Sequence, residues 1–439
     1  MSWLFRTFSV LRSAFAVVRA HWARAILFAS VVLLLGCGGV VGYRHLWARH
    51  HFQIAKLALE KSDYDVAQQH LETCIQLRND EPEDYLLAAT TARRRDDYDR
   101  ADAYLTTYEQ LTQRGGTPCF ERELLIAQQG APESVRVYLE TVMKDRPDQA
   151  TLILQALGKG YLNSFVKADA LTCFNALLKA QPDHAIGLFW RGKTYESLDR
   201  HDKALQDYRR AVELSPSLDV ARLHLARALH RAGQSWEAIP HFECLLQRQP
   251  DSPESLLGMA QCRIDLHEVP EAHKCLSTLL ASHPDHASAL LELGRLDYHS
   301  GQTAEAEPVL RKAAALAPND EDTQRTLLLC LKKQGKVSEV QTCLAQLDRI
   351  DAKLRQLDTL VRKTKDSRRD ALQLWEVGEC LRRLGREEDA VSYYFAALGE
   401  DANYAPAHVA LADYFHRTGQ MYRAAWHRSI ADQKIKIAG

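Results

Sequence analysis

The 439 residues contain no Gly-rich phosphate loop, no Gly-x-Ser-x-Gly elbow and no His-Glu-x-x-His pair, so the common signatures of nucleotide, acyl and metallopeptidase chemistry are missing. Ten cysteines are present without one Cys-x-x-Cys pair, which argues against a zinc site or a thioredoxin-like motif. Histidines are plentiful, with His45, His50 and His51 beside an apolar stretch and His283 and His286 at a turn. No convergent carboxylate or cysteine set accompanies them, so no metal and no cofactor is expected. Low-complexity tracts and Gly/Ser linkers are absent, and a formal net charge of -1 gives no reason to expect nucleic acid as a partner. No segment alternates apolar and polar residues with period two, so strands are not expected either. These absences leave an all-α chain without catalytic machinery.

What is there instead is a period. Prolines 182, 216, 250, 284 and 318 stand 34 residues apart, with another at 147. Self-similarity at this interval means stacked supersecondary units, none of which buries its apolar face alone. In the unit opening at Ala185, counted as position 1, Gly192 is at 8, Tyr195 at 11, Ala204 at 20, Tyr208 at 24, Ala211 at 27 and Pro216 at 32. The unit opening at Asp219 has Ala226 at 8, Gly233 at 15, Ala238 at 20, Phe242 at 24 and Pro250 at 32. Small residues at 8 and 20 read as the close crossing of a helical hairpin. Glycine at 15 ends the first helix in a left-handed conformation. Proline at 32 ends the second by turning the residue before it away from helical dihedrals. Asp183, Ser217, Asp251, Asp285 and Asn319, each following its proline, are expected to cap the next helix.

This pattern resembles the tetratricopeptide repeat. The resemblance implies a right-handed superhelical solenoid of helix-turn-helix units. The register places units near residues 48, 82, 116, 151, 185, 219, 253, 287, 321, 371 and 405, eleven in all. The unit near Gly116 matches least well, and the unit at Glu321 has Leu328 at 8, Val340 at 20 and no proline at 32. The expected organisation is a basic segment over 1–24, a transmembrane helix over 25–43, nine repeats over 48–348, a helical insertion over 349–370 and two repeats over 371–439.

Residues 25–43 read AILFASVVLLLGCGGVVGY, without a charge and long enough to span a hydrocarbon core of about 30 Å. Trp22 and Arg24 precede the stretch, and Tyr43, Arg44 and Trp47 follow it, as interfacial anchors would. A single-pass membrane anchor is the leading reading. The alternatives are a lipoprotein signal, since Leu34-Leu35-Gly36-Cys37 precedes a cysteine that lipidation would modify, and an ordinary cleaved signal. Basic residues flank both ends equally, so the orientation leans only slightly to an extracytoplasmic solenoid.

Cys262 with Cys275, and Cys330 with Cys343, occupy positions 10 and 23 of their units, a spacing compatible either with disulfides or with small buried hydrophobes at a hairpin interface. In the insertion, Leu347, Ile350, Leu354, Leu357 and Val361 form a helical seam that could serve self-association through 347–361 or pack inside the chain.

The resemblance further implies that first helices line a concave face, with positions 9, 12 and 13 among those pointing into it. In this sequence those positions hold Arg93, Lys159, Lys193, Arg227, Arg231, Arg295, Lys332, Arg382 and Arg383, against fewer acids. The expectation is a non-catalytic scaffold, anchored in a membrane, that binds other proteins or acidic peptides in a partly basic groove. The alternative is a cell-envelope accessory factor that binds polysaccharide or assists envelope enzymes, for which Phe189 and Trp375 are the aromatic candidates.

Overall fold

The computed structural model describes residues 43–61, 63–112, 119–366 and 370–438. The span expected at 25–43 lies outside these residues except for Tyr43, as do Cys37 and the basic segment 1–24. Among the described residues no helix is long and apolar enough to cross a membrane.

Helices come in antiparallel pairs, and among the described residues there is no strand. The chain divides into two compact units, Met1–Arg122 and Glu123–Gly439, with the boundary inside α5. The first unit contains α1 (residues 43–60), α2 (Tyr64–Leu77), α3 (Pro82–Arg94) and α4 (Tyr98–Thr112). Then come α5 (Phe120–Gln128) and α6 (Pro132–Asp145), a short 3-10 turn at Pro147–Gln149, α7 (Ala150–Asn163) and α8 (Lys167–Ala180). The regular run continues through α9 (Ala185–Ser197), α10 (His201–Leu214), α11 (Asp219–Arg231), α12 (Ser235–Arg248), α13 (Pro253–Asp265) and α14 (Val269–Ser282). It ends with α15 (Ala287–His299), α16 (Thr303–Leu316), α17 (Glu321–Lys333) and α18 (Val337–Asp366), after which follow α19 (Ala371–Arg383), α20 (Glu387–Glu400), α21 (Ala405–Arg417) and α22 (Met421–Ala438).

Position 15 is where the hairpins turn. Ten of them place a residue with positive φ there, and six of the ten are glycines, among them Gly233 at +74° and Gly419 at +78°. The remaining four are Asp96, Asp199, His267 and Phe165, of which a phenylalanine at φ +59° is the least expected. Second helices end as the prolines dictate: Gln181, Ser215, Gln249, His283 and Ala317 all leave the helical region, with φ between -127° and -136°.

Two local expectations are corrected. The caps fall one residue later than the sequence suggests: His184, Ser252, His286 and Asp320 accept from the amides of Gly187, Ser255, Ala289 and Thr323. The residues directly after proline do other work, as Asp183 pairs with Arg210 at 2.9 Å and Asp285 with Lys312 at 2.9 Å. The glycine at position 8 meets the large residue at position 24 rather than the alanine at 20. A Cβ added at Gly192 would lie 2.7 Å from Tyr208 Cε1, one at Gly294 2.5 Å from Leu310 Cγ, and one at Gly378 2.5 Å from Tyr394 Cε1. The crossing is small so that a ring can be buried against it. Tyr208, Phe174, Phe242 and Tyr394 are almost wholly out of water, each side chain of this kind contributing about 1.5–3 kcal/mol by burial.

The insertion is not a separate element. Without a proline at position 32, α18 runs through Ala352 for 30 residues, about 45 Å at the helical rise. Its apolar seam is taken up inside the chain: Leu347 and Ile350 are buried, and Leu357, Leu360 and Val361 pack on the core of α19–α22. Of the seam expected at 347–361, Leu347 and Ile350 are thus buried within the chain, and Leu354, Leu357 and Val361 are half-buried. The described cysteines are all free thiols, so neither proposed pair is a disulfide. Cys330 donates to Thr303 O and Cys343 to Gln324 O, as small buried polar hydrophobes do.

Candidate functional site

Within the unit Glu123–Gly439 the inner side of the curve can be read from helix neighbours. α7 packs on α9, α11 on α13, α13 on α15 and α15 on α17, whereas no comparable contact joins successive second helices among the described residues. First helices therefore crowd the inside and carry the concave face.

The nine basic residues expected there meet different fates. Arg93, in the first unit, is 1% exposed and its Nε lies 2.5 Å from Glu121 Oε1, so it is a buried ion pair and not a groove residue. Arg231 is paired with Glu196, and Arg382 with Glu379 at 2.7 Å. Arg295 lies 3.7 Å from Glu292 and 3.8 Å from Asp322. Position counting missed this neutralisation because Glu292 and Asp322 lie at first-helix positions outside the set counted. Arg227, Lys332 and Arg383 remain exposed.

Lys159 and Lys193 are brought together by a residue the charge pattern does not contain. Trp190 stands between them, with Lys159 Nζ 4.6 Å and Lys193 Nζ 5.1 Å from its ring. Phe189 packs edge-on beneath the indole at 5.0 Å. Lys159 is 4% exposed, so its ammonium is held partly out of water, where attraction to the ring is stronger than at an exposed site. The arrangement fixes two cations from neighbouring first helices on one aromatic platform.

Next to this stack, Glu196 accepts from Tyr208 Oη at 2.7 Å and lies 3.4 Å from His224 Nδ1. Burial opposes its charge, but hydrogen bonds from His224, Tyr208 and Arg231 outweigh it and hold the carboxyl well below the usual range. Glu196 is thus a fixed anion that orients Arg231.

Lys193 and Glu196 also line a cleft of about 660 Å³ whose opposite wall comes from the end of the chain. One wall includes Asn163, Phe165 and Lys167; the other includes Glu388, Asp389, Ser392, Phe415 and Arg423. The Phe165 ring stacks on Phe395 at 5.5 Å, and the Arg423 guanidinium lies 3.7 Å from the centre of Phe415. Arg423 also donates to Asn163 O at 3.4 Å, and a Cβ at Gly130 would come within 3.3 Å of its Nη2. An aromatic pair of this kind contributes about 0.5–1.5 kcal/mol beyond its buried area. Behind Phe395 and Phe415, His427 Nδ1 lies 2.8 Å from His408 Nδ1, and His408 Nε2 is 3.1 Å from Ala402 O. One nitrogen of the pair must donate and the other accept, so both rings cannot carry charge at once. Burial, with His408 and Arg423 as neighbours, pushes His427 well below the ordinary histidine range.

Sequence reasoning did not find Phe165, Arg423 or the histidine pair. The signal for Phe165 is there: an aromatic residue stands at a turn position where other repeats place Gly, Asp or His. Of the two aromatic candidates for polysaccharide, one is buried and the other half-buried. Phe189 is 4% exposed, and Trp375 packs on the core of the last repeats. Among the described residues no group of three or more His, Cys, Asp or Glu could hold a metal ion.

Known proteins share the repeat. Residues 167–219 and 257–321 match a family model described as a tetratricopeptide repeat, and residues 297–363 match a second of the same description. A Schizosaccharomyces pombe protein, "DnaJ homolog subfamily C member 7 homolog", is 21% identical over 305 residues, covering 64% of this chain and 64% of that protein. Rattus norvegicus "DnaJ homolog subfamily C member 3" is 30% identical over 105 residues, 24% of this chain and 21% of that protein. The chain thus spans less than two thirds of either relative. Among solved structures, the type IV pilus biogenesis factor PilW is 21% identical over 46% of this chain and 93% of its own, with a TM-score of 0.43.

Proposed function

We propose that this chain, which carries tetratricopeptide repeats over residues 167–219 and 257–363, is a non-catalytic scaffold binding other proteins, as proteins built of such repeats do, through their acidic segments. The observation that carries the reading is the half-buried Lys193 held over the half-buried Trp190 ring on α9, with the buried Lys159 adding positive charge beneath the surface and Arg227 exposed on the next first helix, α11. Fixed, partly desolvated ammonium groups attract carboxylates without first losing side-chain freedom, so they favour acidic chains and speed their encounter. The indole supplies an apolar surface for the stem of the incoming side chain. Residues 25–43 attach the scaffold to a membrane, in the favoured orientation with the repeats outside the cytoplasm.

The test is binding of a poly-glutamate peptide to the full chain and to Lys193→Glu/Arg227→Glu. The double variant should bind at least about tenfold more weakly, and wild-type affinity should fall with added salt. Arg209→Glu/Arg248→Glu, on second helices, should change little. Equal loss from both double variants would overturn the groove. A chain lacking residues 1–47 that still sediments with protein-free lipid vesicles would overturn the anchor.

A further inference from the structure

We infer that the last two repeats, α19–α22, are an intramolecular gate on the concave face, held shut by the contact of Phe165 with Phe395 and of Arg423 with the α7–α8 turn; this rests on the reading of that face as the binding site. Three independent features converge on the contact. Phe165 adopts φ +59° at a turn where six other hairpins use glycine, an arrangement that persists only when surroundings over-determine it. Its ring is held by Phe395, more than 200 residues away in the chain. Arg423, buried and stacked on Phe415, reaches the Asn163 carbonyl across the same contact.

The charges at the seam indicate what the gate competes with. Glu388 and Asp389, in the first turn of α20, line the same cleft as Lys167 and Lys193. The first turn of α20 carries three acids in succession, Glu387, Glu388 and Asp389. Of these, Glu387 pairs with Arg417 and Asp389 with Arg386 at 2.7 Å, so Glu388 is the acid that brings the chemistry of the acidic ligand to the basic edge of the groove. Closing places Glu388 in the cleft that Lys193 lines, and an arriving acidic segment must displace it. A ligand that binds only the open form has its affinity reduced by the fraction of molecules that are open.

The test uses the full chain and the variant Phe165→Gly/Arg423→Ala, in which glycine keeps the left-handed turn while the two gate side chains are removed. Hydrogen exchange should accelerate at residues 160–167 and across α20–α22 and stay unchanged in α11–α14, and the variant should bind poly-glutamate about tenfold more tightly than wild type. Unchanged exchange at the two contact segments overturns the gate, as does faster exchange with unchanged affinity. Arg423→Lys with Phe165 intact guards against simple misfolding: it should give an intermediate affinity, and a fall in affinity in both variants overturns the proposal. Poly-glutamate binding that depends on Lys193 and Arg227 yet is equal in open and closed forms sinks the gate alone. Absence of binding to every form sinks the groove reading as well.

Discussion

The hairpins from α9 to α16 and those from α19 to α22 are written in one residue pattern but take different places in their stack. In the first group each turn lies beside the turn before it, and prolines at 216, 250, 284 and 318 end every second helix on schedule. In the second group the α19–α20 turn lies at the opening of α17 instead of beside the α17–α18 turn: Asn319 Nδ2 donates to Arg383 O at 3.3 Å, and Lys353 Nζ bridges Asn319 Oδ1 at 2.9 Å. A cavity of about 500 Å³ between Pro318, Ile350, Leu354 and Gly385 marks the misfit of this seam. The difference starts in α18. Ala352 stands where the units of α9 to α16 have proline, and α18 continues through it, whereas α20 ends at Glu400 although the same position of its unit holds Ala402. The missing proline permits the extension, the helix-forming residues that follow carry it, and the extra turns shift the chain before α19 begins.

The strongest way to break the comparison is to restore the stop. Ala352→Pro should disrupt α18 at a cost of about 3 kcal/mol or more, since an interior proline loses a hydrogen bond and clashes with the preceding turn. Hydrogen exchange should rise in residues 353–366 and throughout α19–α22 while α9–α14 keep their protection. Uniform loss along the chain would mean that the two groups are not separable.

A smaller effect is expected from filling the helix crossing in either group. Gly294→Leu and Gly378→Leu each force a side chain toward a residue about 2.5 Å away and should cost about 1–3 kcal/mol. In a stack coupled through nearest neighbours, Gly294→Leu should disturb α13–α18. Gly378→Leu should in addition speed exchange at residues 160–167, because α19–α22 hold Phe165. If both variants leave 160–167 untouched, the long-range contact does not couple the two ends.

The smallest effect is a pH dependence confined to the end of the chain. His427 has a depressed proton affinity in the fold, so the unfolded hairpin binds more protons just below the ordinary histidine value. Its contribution is complete above about pH 6.5 and is lost as pH falls below that value. Protection of α21–α22 should decline between about pH 6.5 and pH 5 relative to α13–α14 after correction for intrinsic exchange, and His427→Phe should flatten the decline. Parallel behaviour of the two hairpins would remove the histidine pair from the account.

Much of this molecule is legible in its residues. The period of the prolines, the glycine at position 15 and the small residue at position 8 prescribe helical hairpins, because each is a local steric requirement that a neighbour in sequence satisfies. The openings of α9, α11, α13, α15, α17, α19 and α21 follow from that register. Basic residues at set positions could be counted as well, but not their pairing. Glu196 beside Arg231 and Glu379 beside Arg382 stand at counted positions themselves, while Glu121 beside Arg93 comes from outside the set, so the net charge of the face depends on which side chains meet.

The sequence by itself determined the all-helical repeat, its turn chemistry and the extended α18, since these depend on backbone dihedrals and contacts a few residues apart. Only the tertiary structure decided that Trp190 gathers Lys159 and Lys193, that Arg93 is buried, and that Phe165 meets Phe395. Those outcomes rest on the accumulated rotation of successive hairpins within the second unit, a quantity to which every packed side chain contributes and which no single position encodes.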